Sequence, residues 1–296
     1  MEIIGIIAAL VSSASWALGS ILFNRIGKKV SPFGMTLTKG IIGIGLLAVL
    51  YVLKGFEPIP LNAAGMLFIS GIIGITVGDT LFFASLQYLG PKVQIIFFMM
   101  GQVITAFLGI LILREVPFLS QWIGIFITLV GVVIVLWNKL FNESSDRKTN
   151  TRGIIFGLLA MCCFSTSMII AKHAMITVSA LSAVIIRMIA GTAGIFIYGL
   201  FTKQLITWMN PFQDRKMIAF FFLSACVVTY GGFFLGLVAL RNLDVVIAST
   251  LGATEPLFIL PLAFFILKER ITLLEVLGAI FTTCGITIIV LGGALF

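Results

Sequence analysis

Charge is scarce in this chain: Asp, Glu, Lys and Arg make up 10% of its 296 residues, against roughly a quarter in soluble domains. Histidine occurs once, as His173. The sequence contains no HExxH and no GxSxG, and no two carboxylates fall within one helical turn inside an apolar run. A membrane-embedded enzyme is thereby left without recognisable chemistry, and His173 beside Lys172 reads as an interfacial residue. The four cysteines, Cys162, Cys163, Cys226 and Cys284, stand in apolar runs without ligand spacing, which argues against a metal centre or a disulfide framework. No cofactor is expected.

What the chain has instead is apolar length. Hydrophobic residues make up 60%, and runs of about 20 residues, enough to cross a bilayer core of roughly 30 Å as helix, recur throughout. Ten are counted, at about 3–23, 33–53, 63–86, 92–113, 119–138, 153–172, 179–201, 217–239, 246–266 and 273–293. They are continuously apolar and lack the in/out alternation of lipid-facing strands, so the expected class is an all-α integral membrane protein. The opening MEIIGIIAALVSS lacks a basic segment before its apolar stretch, so a retained span is expected rather than a cleaved leader. The longest polar stretch, 138–152, reads as a linker.

The chain also repeats itself. A shift of 148 brings Gly5 onto Gly153, Lys39 onto Arg187 and Gly43 onto Gly191. A shift of 154 brings LILREVPFLSQWIGIFITLVG onto FILKERITLLEVLGAIFTTCG, with Glu115 on Glu269, Gly124 on Gly278 and Gly131 on Gly285. The division is a first five-helix repeat over 1–138, a linker over 139–152 and a second repeat over 153–296. An odd number of spans per repeat makes the second enter the membrane from the opposite side. Loop charge agrees. In the first half Arg25, Lys28, Lys29 and Lys92 outnumber Lys54 and Arg114, whereas in the second Lys203, Arg215, Lys216, Lys268 and Arg270, in the other pair of loops, outnumber Lys172 and Arg241. Since basic loops stay cytoplasmic, the linker is expected in the cytoplasm of a multi-pass protein of the cell membrane, with membrane lipids as its surroundings. The net charge of +8 is thus a matter of topology and no sign of a nucleic-acid partner. Two such repeats around a central cavity are the architecture of secondary transporters.

Polar residues inside the runs mark that cavity, because a charge at mid-bilayer costs on the order of 3 kcal/mol on insertion scales. Lys39 and its repeat mate Arg187 are read either as paired anchors or as ligands for an anionic group. Asp79, whose repeat mate is Phe233, either pairs with Lys39 or meets substrate or a proton. Glu255 lies mid-run just before Pro256, with Pro261 further on. Each proline removes an amide donor and bends the helix, and freed carbonyls are tolerated in lipid only beside protein or a wet cavity. Glu255 is therefore expected on a cavity wall, as partner to Arg187 or as a proton site. Gln102, Ser12, Trp16 and Tyr230 complete the expected lining. Glycines seven apart, Gly124/Gly131 and Gly278/Gly285, offer a flat strip for packing or for a homodimer face.

These features resemble the drug/metabolite transporter superfamily, EamA branch. The likeness is carried by ASWALGSILFNRIGKK, GDTLFFASLQYLGP, ILREV and TEPLFILPLAFFILKERIT. It departs at Phe164, where tryptophan would be looked for, and at Lys39, where arginine is more usual. The resemblance implies ten helices as two inverted repeats around a central cavity and movement of a small organic solute, an amino-acid-like metabolite or a toxic compound; the leading reading beside it is an exporter, proton-coupled through Glu255. A flippase for a lipid-linked group is the alternative, favoured if Lys39 and Arg187 contact a head group.

Overall fold

A computed structural model describes residues 2–55, 57–141, 151–209, 214–262 and 273–294. Among these every regular element is helical. In chain order they are α1 (Glu2–Ile26), α2 (Pro32–Lys54), α3 (Leu61–Leu89), α4 (Pro91–Leu113), α5 (Leu119–Phe141), α6 (Thr151–Ala174), α7 (Ala180–Phe201), the single turn Leu205–Met209, α8 (Arg215–Asn242), α9 (Val245–Gly252, resuming as Glu255–Leu262) and α10 (Leu273–Ala294). Six of the described helices, α1, α2, α3, α6, α7 and α8, are long and apolar enough to cross a membrane. Helix reaches further into the expected linker than the sequence suggested, to Phe141 on one side and from Thr151 on the other. Lys268, Glu269 and Arg270 lie outside the described residues.

Short polar signals set the helix ends. Ser31 and Ser179 accept from the amides of Gly34 and Ser182 at 3.2 Å, satisfying donors that the first turn leaves free. Gly90, at φ 78°, turns the chain between α3 and Pro91, a left-handed conformation that glycine adopts without steric cost. Two helices carry an internal π segment, Ile72–Asp79 in α3 and Val227–Phe234 in α8. Both are the third helix of their half. Such wide turns sit frequently at functional sites, and here each is rich in glycine. Side chains of the first helix of the opposite half press onto them: Phe164 lies where a Cβ on Gly78 would be 2.9 Å away, and Trp16 at 3.1 Å from one on Gly232.

The halves interlock. α1 packs on α8 and α9, and α6 packs on α3 and α4. Helices at equivalent places in the two halves also meet, and their pairings run in opposite senses. Gly40 lies by Thr192 and Gly43 by Met188; Gly252 lies by Gln102 and Gly109 by Val245; Gly131 lies by Thr282 and Gly285 by Thr128. The α2/α7, α4/α9 and α5/α10 crossings are therefore antiparallel. The glycine strips, read as scaffold or as a dimer face, are occupied inside one chain by the α5/α10 crossing. Each half also ties the other at its surface: Glu57, between α2 and α3, accepts from the Ser182 hydroxyl at 3.1 Å and from Lys54 at 2.9 Å. Hydrogen bonds from Ser179 foremost, then Lys54, hold the Glu57 carboxyl down at about 2.

Two outcomes follow. A Cβ at Gly131 would overlap the Thr282 backbone nitrogen, so Gly131→Val should lower the thermal midpoint in detergent, at a cost of about 2 kcal/mol; an unchanged midpoint would refute the tight crossing. Because the Glu57 pKa is depressed from 4.5 to about 2, its stabilisation is present above the unfolded value and lost as pH falls through the folded one. The midpoint gap between wild type and Glu57→Gln should hold from neutral pH to about 5, then close toward about 2. A gap independent of pH would remove the carboxylate's role.

Candidate functional site

The central cavity, of about 110 Å³, lies where the two halves cross. α1 contributes Ser12, Ser13 and Trp16; α3 contributes Gly74; α4 contributes Phe98, Gly101, Gln102 and Thr105. From the second half come Met161, Phe164 and Met168 of α6, Arg187 of α7, Gly232 and Phe233 of α8, and Ser249 and Gly252 of α9. Both π segments therefore border it. One wall is aromatic, with the Trp16 ring centroid 5.0 Å from Phe233 and 5.8 Å from Phe98. Hydroxyls line the cavity as well, from Ser12, Ser13, Thr105 and Ser249; Thr105 shares the Gly101 carbonyl with Ser165, which stands behind the lining, at 2.8 and 3.0 Å. Such a mixture, apolar with a few placed polar groups, suits a small organic molecule.

Of the polar residues expected to line the cavity, Ser12, Trp16, Gln102 and Arg187 do so. Lys39 and Asp79 form an ion pair just beyond it, each 1% exposed. The Lys39 ammonium also lies 4.2 Å from the centroid of Phe233, whose ring face attracts a desolvated cation. Arg187 is 2% exposed and differently placed. Its Nη2 donates to Ser167 Oγ at 2.9 Å, its Nη1 points at Met168 Sδ at 3.9 Å, and its Nε–H has no partner. Among the described residues no carboxylate is ion-paired with it. Glycines give the guanidinium room: a Cβ on Gly74 would stand 3.3 Å from Nη2.

Tyr230 faces elsewhere, donating its hydroxyl to the Leu46 carbonyl at 2.7 Å. Glu255 is 3% exposed and is absent from the cavity lining; it opens the second segment of α9, which packs on α1 and α5, and its Oε2 has no partner. The break before it is stitched by side chains. Pro256 lacks the amide that would reach the Gly252 carbonyl, which accepts from Ser13 Oγ at 3.2 Å; the Leu251 carbonyl accepts from Ser13 at 3.0 Å and from Thr254 Oγ1 at 2.6 Å. Pro261 lies inside the second segment. At one end of the cavity the α8–α9 corner is clamped from two sides. Arg114, in the left-handed region at φ 55°, ends α4 and turns Glu115 outward, where its carboxylate accepts from the Val245 and Val246 amides at 2.8 and 3.0 Å. Lys172 donates to the Leu240 and Leu243 carbonyls, both at 2.6 Å. Each clamp puts the favourable charge on a helix end.

Several contributors went unread in the sequence: Ser13, Thr105, Ser165 and Ser167. All four are hydroxyls in apolar runs, the same signal that marked Ser12, and FSTSM in α6 showed it most plainly.

Removing one member of the buried pair leaves the other charge uncompensated, which costs about 3–5 kcal/mol. Lys39→Met should accordingly unfold well below wild type in thermal scans, and Lys39→Met with Asp79→Leu should recover most of the loss. A double variant as unstable as the sum of the singles would overturn the pairing.

Residues 3–137 and 151–291 each match the EamA-like transporter family. An uncharacterized transporter of Haemophilus influenzae (strain ATCC 51907 / DSM 11121 / KW20 / Rd) is 27% identical over 158 residues, 53% of this chain and 51% of that protein. The uncharacterized transporter YyaM of Bacillus subtilis (strain 168) is 25% identical over 197 residues, 64% of this chain and 63% of that one. The aligned part thus spans about half of the first relative and less than two thirds of the second. A crystal structure of another protein superposes with a TM-score of 0.70 at 14% identity, over 98% of this chain and 96% of that one, a likeness of fold. With both halves matched across a multi-helix membrane architecture, the chain belongs to the EamA-like transporter family.

Proposed function

We propose that the protein is a secondary transporter that carries a small organic solute out across the cytoplasmic membrane by alternating access to the central cavity. The observation that carries this reading is the cavity itself, enclosed by helices of both halves and bordered by a π segment from each. The antiparallel crossings of α2 with α7, α4 with α9 and α5 with α10 support ten crossings arranged as two inverted repeats, and the reversal of basic loops between the halves supports a cytoplasmic linker. Rocking of one half against the other would expose the solute to each side in turn. Glu255 is the proton site in this reading: a buried acid with a free oxygen, three residues past Gly252, which borders the cavity. Its protonation at the break in α9 would bias which face is open.

The flippase alternative would be favoured by head-group contacts from Lys39 and Arg187; Lys39 is engaged by Asp79, which leaves Arg187 alone to support it.

Proteoliposomes loaded with solutes from a metabolite panel supply the test. At least one solute should show saturable exchange that responds to an imposed pH gradient, and Glu255→Gln should retain exchange while losing the pH response. Flux that is linear in concentration for every solute would overturn the transporter reading. Saturable flux with the same pH response in wild type and Glu255→Gln would remove Glu255 from the coupling.

A further inference from the structure

Arg187 is the one ionisable side chain among the described residues that line the cavity. It is 2% exposed, keeps an unpartnered Nε–H, and its positive charge is not neutralised by the neighbouring pair, since Asp79 is taken by Lys39. A desolvated guanidinium with a donor to spare favours an anionic partner, and its planar fork suits a carboxylate held by two hydrogen bonds. No other described lining residue is ionisable, so nothing there meets a second charge, and Trp16, Phe98, Phe164 and Met161 add apolar surface to the same cavity.

Beside this cavity lies a second one. A cleft of about 190 Å³ between α4, α5 and α9 is lined almost wholly by apolar side chains, among them Ala106, Ile110, Leu129 and Ala253. Gln102 and Ser249 line both spaces. Across this seam the helices are small-sided: a Cβ on Gly252 would lie 2.8 Å from Gln102 Oε1. The polar cavity and the apolar cleft are thus neighbours through one amide and one hydroxyl, an arrangement with a charged end and a greasy end.

We propose that the transported solute is an amphipathic organic monoanion, its carboxylate bound by Arg187 and its apolar tail passing the Gln102–Ser249 seam into the cleft. This rests on the reading of the cavity as the solute site, and it names the class of solute. Because the cleft accepts methylene groups, affinity should rise with chain length, about three- to fourfold per CH₂ for full burial.

Equilibrium binding to the full chain in nanodiscs tests this without requiring flux. Octanoate should raise the thermal midpoint and bind saturably, octylammonium at the same concentration should not, and affinity should climb from butanoate to octanoate. Arg187→Gln should weaken octanoate at least about tenfold, with Arg187→Lys intermediate because it keeps charge but loses the fork. Ala106→Leu, which narrows the cleft away from the guanidinium, should flatten the chain-length series while leaving butanoate unaffected. Equal binding of octanoate and octylammonium, or octanoate binding indifferent to folded Arg187→Gln, overturns the proposal; should Arg187→Gln not fold, the comparison of anion with cation and the Ala106→Leu series decide it. A chain-length series unchanged by Ala106→Leu overturns the placement of the tail. Octanoate bound as expected but never moved in proteoliposomes would count against the transporter reading alone, and flux of other solutes without octanoate binding would count against the solute class alone.

Discussion

A cation inside an apolar bundle is costly unless a counter-charge or hydrogen-bond-accepting neighbours meet it, and the bond between Lys39 and Asp79 is where this chain offsets that cost most directly. Both side chains are almost completely withdrawn from solvent, so their mutual attraction is little screened and their desolvation is correspondingly large. The pair ties α2 to the end of the π segment in α3. It therefore fixes the helix that carries Gly74, and with it the space in which the Arg187 guanidinium sits. Hydroxyls continue the work around it: Thr80 donates to the Thr76 carbonyl at 2.7 Å, and Ser70 and Ser167 bond each other's carbonyls at 2.7 Å. The Ser70–Ser167 bonds join α3 to α6 across the two halves.

The same intolerance of unpaired polar groups governs the backbone. Where a helix in lipid is interrupted, its carbonyls and amides need partners from neighbouring elements, and two interruptions here show them. The break in α9 draws on Ser13 of α1; the corner from α8 to α9 draws on Glu115 and Lys172. Beside Thr254 of the break itself, the partners come from outside the interrupted helices, and α9 and α8 are bound in this way to α1, to the residue following Arg114 at the end of α4, and to α6. Interrupted helices are thus placed beside the cavity, where neighbours are dense enough to satisfy them.

How much of this was legible beforehand follows from what each signal depends on. Helical class came from apolar run length, which is local. Repeats came from register matches such as Lys39 with Arg187, also local. Ser12, Trp16, Gln102 and Arg187 were found as polar or aromatic positions in the wrong medium, and the cavity gathers them. Partner choice was not legible, because it depends on which helices touch. Sequence alone allows Asp79 either Lys39 or a solute or proton, and Glu255 either Arg187 or a proton; only packing decides, and it sets Asp79 on Lys39 while leaving Glu255 off the cavity wall. The π segments were equally hidden, since an extra residue in a turn leaves no periodic mark in an all-apolar stretch. Tyr230 misled for a related reason: its hydroxyl is satisfied by the Leu46 carbonyl of α2, a helix with no sequence link to it.

Duplication explains the polarity of the site. Two copies of one unit supply two cations at equivalent positions, Lys39 and Arg187, but only the first copy carries an acid at the position of Asp79; the second has Phe233 there. That single difference breaks the symmetry of the interior. In the first half the acid neutralises the lysine, while Phe233 turns its ring toward the same ammonium, 4.2 Å from its centroid, and its edge toward Trp16. One residue of the second half thereby stabilises the cation of the first and walls the cavity. Arg187, deprived of the equivalent acid, keeps an unspent charge directed at the space between the halves. The repeat builds the chamber from both halves, and Arg187, the one ionisable side chain among its described lining residues, gives that chamber a positive sign.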